Sequence, residues 1–200
     1  PECYLQSIYR SSEVSDYLDS MDLIYLLLFF RLDVFASFLN TVERNSFDNC
    51  SSLNHLTLMQ NNLTTIPSGS LETLNNLTRL MLPMNGLTSL SQGSFSGTVV
   101  EELDLTWNLF TTWNEFWIYP LTFTLKNLNL GHNRISNLSP TSFNSAWGVE
   151  ELRLTDNPLQ NLSPDIFRPL VNLQTLYMAD CHLTEIIPVW YSGKPALRIL

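Results

Sequence analysis

Apolar residues along this chain recur with a period of 24 residues, far longer than the 2 or 3.6 of a lone strand or helix. Self-alignment places the repeat starts at Leu5, Phe29, Leu53, Leu77, Val100, Leu125, Val149 and Leu173, with a ninth at Leu197. Clear copies read LNHLTLMQNNLTTIPSGSLETLNN from Leu53, LKNLNLGHNRISNLSPTSFNSAWG from Leu125 and VEELRLTDNPLQNLSPDIFRPLVN from Val149. The shared template is LxxLxLxxNxLxxLxxxxFxxLxx, apolar at positions 1, 4, 6, 11, 14, 19 and 22. Eight copies give 56 such sites, and 52 fit when Cys50 and Ala146 count as apolar. The chain is only 44% hydrophobic, so composition alone does not produce this pattern. The exceptions are Arg10, Ser15, Thr98 and Lys194.

The template predicts its own elements. Positions 4 and 6 lie on one face of a short strand and point inward, while positions 3, 5 and 7 face solvent. Identical strands one repeat apart pair in parallel, so eight of them make a curved sheet about 40 Å along. Position 19 fills the wider outer side, with Leu23, Phe47, Leu71, Phe95, Ile118, Phe143, Phe167 and Tyr191. Trp113 falls on core position 14, and Trp117 and Trp190 precede position 19. One repeat cannot bury its own core, so neighbouring repeats share stability.

Position 9 carries Asn61, Asn85, Asn108, Asn133 and Asn157, with Ser37 and Cys181 in other copies. The chain must turn there. An Asn side chain both donates and accepts, so a stacked Asn ladder satisfies backbone groups that the turns leave unpaired. These residues are read as structural.

Composition sharpens this picture. There are 37 Leu and 19 Asn among 200 residues, and only 14% are charged, which excludes a disordered chain. Ten basic against 19 acidic residues give a net charge of −9, which argues against nucleic acid as the main partner. The greasiest run, LIYLLLFF from Leu23 to Phe30, is too short to cross a bilayer, which takes about 20 residues. It also lies inside the array, so it is not a signal peptide. Membrane attachment would need a segment outside this chain. The pattern breaks off at Leu200 and lacks an initiator Met, so we read residues 1–200 as one array from a longer protein, without its caps.

Signatures of chemistry are missing. There is no HExxH, CxxC, P-loop or GxSxG. His55, His132 and His182 do not converge: His55 and His132 stand three repeats apart, about 15 Å, too far to share a metal. They read as solvated surface residues able to titrate in an acidic compartment. Glu101, Glu102 and Asp104, and later Glu150, Glu151 and Asp156, cluster on one face. An open sheet gives them no desolvation to shift their pKa values, so they read as a solvated acidic face rather than a glycosidase pair. No catalytic residue, metal or cofactor is expected. Cys50 on a core position and Cys181 on the ladder both read as buried thiols. A Cys3–Cys50 bridge would cross two repeats, about 10 Å, beyond disulfide reach.

The outward positions vary while the core does not, which suits a scaffold that holds a specific surface. The candidate ligand-binding residues, all assigned to the concave face, are Met81, Met84, Glu102, Asp104, Trp107, Asn129, Arg153 and Tyr177. Trp107 stands out because the core does not require it, and exposed Trp beside Met and charge suits an interface anchor. Sequons at Asn49, Asn62, Asn76, Asn137 and Asn161 fall outside the sheet-facing positions, so glycans there would leave the concave face open.

Over residues 5 to 200 the template resembles the 24-residue class of extracellular leucine-rich repeats. The Phe-like position 19, the Asn62-Leu63-Thr64 signal and the slightly unequal repeat lengths look most like Toll-like receptor ectodomains. The resemblance implies an α/β repeat solenoid, a horseshoe with a parallel concave β-sheet and irregular convex loops. It also implies a recognition module that does no chemistry. Its partners would be a protein or microbial ligand and a paired receptor. Its place would be the cell surface, as the ectodomain of a type I membrane protein, or the endosome. A cell-adhesion or extracellular-matrix protein of the same fold is the alternative.

Overall fold

The computed structural model describes residues 31–160 and 162–200. Eight short strands form one sheet in sequence order: β1 Arg31–Asp33, β2 His55–Thr57, β3 Arg79–Met81, β4 Glu102–Asp104, β5 Asn127–Asn129, β6 Glu151–Arg153, β7 Thr175–Tyr177 and β8 Arg198–Ile199. Every pair is parallel. Leu32, Leu56, Leu80, Leu103, Leu128, Leu152 and Leu176 stand side by side at the centre of adjacent strands. This is the stacked solenoid that the 24-residue period predicts.

The core behind the sheet is one continuous column. Leu56, Leu80, Leu103, Leu128, Leu152 and Leu176 are buried, and Phe47, Phe95, Phe143 and Phe167 close the outer side. Phe143 and Phe167 stack with centroids 6.1 Å apart. From strand to strand the coil after β4 spans 25 residues, against 23 in the coil before it and 24 in the coil after it. Its core holds Phe110 and Trp113, with Trp117 5.4 Å from Trp113 edge to face. Among the described residues the outer side carries 3₁₀ turns at Glu115–Trp117, Tyr119–Leu121 and Pro188–Tyr191, and no α-helix.

Each ladder Asn ties its own turn to the coil before it. The Asn133 amide donates to Leu105 O at 3.0 Å in the preceding coil, and to Leu130 O and Gly131 O in its own. Its Oδ1 accepts from Phe110 N at 3.2 Å. Asn61, Asn85, Asn108 and Asn157 repeat the arrangement. Cys181 holds the same place with one bond, its thiol donating to Leu154 O at 3.1 Å. Burial pushes that thiol's pKa up, so it stays protonated.

Three expectations need correction. Cys50 is buried as expected but is disulfide-bonded rather than a free thiol; Cys181 is free, so the distance argument against a Cys3–Cys50 bridge does not hold, and Cys3 lies outside the described residues. In the coil after β7, Trp190 takes the place expected of Tyr191: it is buried edge to face on Phe167, and Tyr191 turns outward. The neighbouring indole is larger and finds a hydrogen bond to Ser163 O. The last strand also pairs one residue early, with Leu176 opposite Ile199 and not Leu200. A one-residue slip reverses a strand's faces, so Leu197 and Ile199 pack on the core while Leu200 is 60% exposed. By this register the ninth repeat begins at Ala196 rather than Leu197.

Candidate functional site

The strand-borne side chains on the open face form a row of internal ion pairs. Arg31 Nε meets Asp33 at 2.7 Å, Arg79 meets Glu102 at 3.1 Å, and Arg153 meets Glu151 at 2.7 Å. Arg153 also lies 4.2 Å over the Tyr177 ring. Asp104 accepts from the Thr106 amide and hydroxyl. A shallow hollow of ≈ 130 Å³ brings together Glu102, Asp104, Asn129 and Arg153, four of the residues singled out from the sequence. Met81 stands on the neighbouring β3.

Charge on this face is set locally. Burial raises the Asp33 carboxyl, but hydrogen bonds from Arg31 and Thr57 and the charge of Arg31 outweigh it and hold its pKa below the usual value. Burial, and then the positive charge of Arg31, push His55 below its ordinary 6.5. The unfolded chain therefore takes up this proton first, and the stability linked to neutral His55 is complete above pH 6.5 and lost as pH falls towards the lowered folded value. Between about pH 7.5 and about pH 5 the melting temperature should fall less in His55→Gln than in the unmodified chain. An equal fall in both would reject this.

A second row runs along the turn that follows the strands. Position 8 of successive repeats holds Met84, Trp107, His132, Asp156 and Asp180, all left-handed with φ of 53° to 57°. Stacking imposes this conformation: the Met84, Trp107, His132 and Asp156 amides each donate to a carbonyl of the following coil. Left-handed backbone suits Asp and His but costs about 1 kcal/mol or more for Met and Trp. Trp107 gains little burial in return, since it is 52% exposed. It stacks on His132 with centroids 4.2 Å apart and planes within 7°. His132 Nδ1 in turn lies 2.7 Å from Asp156 Oδ2. The rings form one wall of a trough of ≈ 350 Å³ that continues past Asp156 to Asp180 and is lined by Arg134 and His182.

Two sequence families match most of this chain, one after the other. Residues 33–117 match the BspA type Leucine rich repeat region (6 copies), and residues 123–200 match the Leucine rich repeat family. The chain belongs to the leucine-rich-repeat family. Among solved structures it is similar to TLR13 in the crystal structure of the TLR13–ssRNA13 complex. The identity is 32% and the TM-score 0.76, over 85% of this chain and 24% of that one. It is also similar to a leucine-rich-repeat protein of Leptospira interrogans, with 26% identity and a TM-score of 0.69, over 82% of this chain and 40% of that one. The chain thus spans about a quarter and two fifths of these relatives. No curated protein matches it.

Within the leucine-rich-repeat frame, the candidate residues fall into two sets. Glu102, Asp104, Asn129, Arg153 and Tyr177 share the concave sheet, whereas Met84 and Trp107 lie on the lateral edge beyond it. Sequence reasoning singled out Trp107 but assigned it, with Met84, to the concave face, and it missed the partners of Trp107. The signal was present: Trp107, His132 and Asp156 share position 8 at spacings of 25 and 24. Of the sequons, Asn49, Asn62, Asn76 and Asn137 are exposed, and Asn161 lies outside the described residues. Among the described residues no His, Cys, Asp and Glu group has metal-site geometry, and no helix is long and apolar enough to cross a membrane.

Proposed function

We propose that the chain is the ligand-recognition part of an extracellular or endosomal receptor of the Toll-like kind, binding a protein ligand through its lateral edge and the adjoining concave face. The Trp107–His132 stack carries this reading. A half-exposed indole held in an unfavourable backbone conformation is of little use to folding, and it offers a rigid anchor beside the charged groups Arg134, Asp156 and Asp180. The likeness to TLR13 supports the receptor class and the compartment. N-linked glycans on Asn49, Asn62, Asn76 and Asn137 fit the same compartment, since all four side chains are exposed. The chain works by docking and not by catalysis in this reading.

TLR13 was solved with an RNA. A phosphate backbone asks for unpaired cations, and here Arg31, Arg79, Lys126 and Arg153 are each engaged by a carboxylate in a chain of net charge −9. A protein surface suits this arrangement better. The test is biosensor binding of the full chain to single-stranded RNA and to secreted microbial and host proteins. A protein ligand found this way should bind Trp107→Ala at least about tenfold more weakly, with melting unchanged. Unaltered affinity removes Trp107 as the anchor. Tight, salt-sensitive RNA binding overturns the choice of ligand class.

A further inference from the structure

A different edge of the solenoid, the turn that leads into each strand, carries an apolar row that the core does not use. Val99, three residues before β4, is followed by Phe123, Trp147 and Val171, each four residues before β5, β6 and β7. They are 39%, 82%, 50% and 68% exposed. Phe123 and Trp147 touch edge to face at 6.1 Å, so the row is contiguous at its centre. In the two preceding coils the same place holds polar Ser51 and Asn75, flanked by the sequons of Asn49 and Asn76. The Asn76 amide already spends one hydrogen on Ser51 O. The apolar half of the edge is therefore also the half without sequons.

A polar row borders it: Glu101, Lys126, Glu150 and Gln174, one in each of the same four coils. Lys126 lies 2.8 Å from Glu101, and Gln174 donates to Glu150 at 3.1 Å. This order is self-complementary. A twofold axis passing between the β5 and β6 coils sets Phe123 against the partner's Trp147 and Val99 against the partner's Val171. It also sets Lys126 against the partner's Glu150, and Glu101 against the partner's Gln174. An axis through the β5 coil would oppose Lys126 to the partner's Lys126, and one through the β6 coil would oppose Glu150 to the partner's Glu150. Moving it to lie between β4 and β5 would set Trp147 against the partner's polar Asn75.

We infer that this apolar edge is a homotypic contact, occupied by a second copy of the chain in a twofold arrangement centred between β5 and β6. Four side chains and their border fall short of the roughly 800 Å² per partner of a standard interface, so the dimer is weak, with a dissociation constant of about 10 µM or more. It does not rest on the ligand reading, and Trp107→Ala leaves it intact.

Sedimentation velocity of the full chain, up to about 200 µM, tests it. The unmodified chain should show a concentration-dependent shift towards dimer, and Phe123→Glu should remain monomeric. Lys126→Glu should weaken the dimer at least about tenfold, and adding Glu150→Lys should restore it, because the exchange re-pairs the same charges across the axis. Each altered side chain is on the surface, and unchanged melting shows that folding is retained. A monomer at every concentration, a dimer that survives Phe123→Glu, or failure of the double exchange to restore association overturns the inference.

Discussion

Leu128→Asp should unfold the coils on both sides of β5. Leu128 is 1% exposed and sits between Leu103 and Leu152 on the adjacent strands. Removing the side chain as Ala would already cost about 2–5 kcal/mol. A carboxylate adds the penalty of an unpaired charge, or of its forced protonation, among Leu side chains. Together these approach the roughly 5–15 kcal/mol that holds an ordinary domain together. Stability here is passed between neighbours, so damage at the fifth of eight strands removes support in both directions. Thermal melting followed by circular dichroism should show a lost or divided transition, and limited proteolysis should cut near Asn127–Asn129. One cooperative transition at the original midpoint would contradict this.

The second large effect belongs to Asn133. Its side chain makes four hydrogen bonds to backbone groups, one of them the carbonyl of Leu105 in the preceding coil and one the amide of Phe110. Asn133→Leu is apolar and of similar size, but it leaves these groups buried without partners. Each orphaned group costs about 1–3 kcal/mol, and since neighbouring losses do not add fully, a total of about 3 kcal/mol is expected. Asn133→Asp should also destabilise, because it keeps the acceptor and loses the donors. Asn114 makes a single local bond to the Phe116 amide, so Asn114→Ala is the control and should cost far less. Denaturant midpoints for the three variants rank the effects. Equal values for Asn133→Leu and Asn114→Ala would show that the ladder carries no special load.

The sequence was most legible where one requirement recurs. A Leu at position 4 must be buried in every coil, and repetition made the sheet and its core readable from spacing alone. Legibility failed where two neighbouring residues were both apolar. Tyr191 and Trp190, or Leu200 and Ile199, satisfy the template equally well, and packing rather than pattern decides which enters the core. Cys50 fitted the core as a hydrophobe, and the repeat spacing argued against the covalent bond it makes. The lateral site was legible only in part because the core places no demand on outward residues. His132, set beside His55, looked isolated; its true neighbours, Trp107 and Asp156, stand one coil away on either side. The same blindness hid the Val99 to Val171 row, whose members look like scattered surface residues until the coils are stacked.

The consecutive order of the strands has a mechanical meaning. With β1 to β8 joined only to their immediate neighbours, no strand pairing braces β1 against β8 among the described residues. A slight tilt at each junction therefore accumulates into bending of the whole arc without rupturing any single seam, as in a leaf spring. A ligand that grips several coils at once would have to work against this compliance or set its curvature.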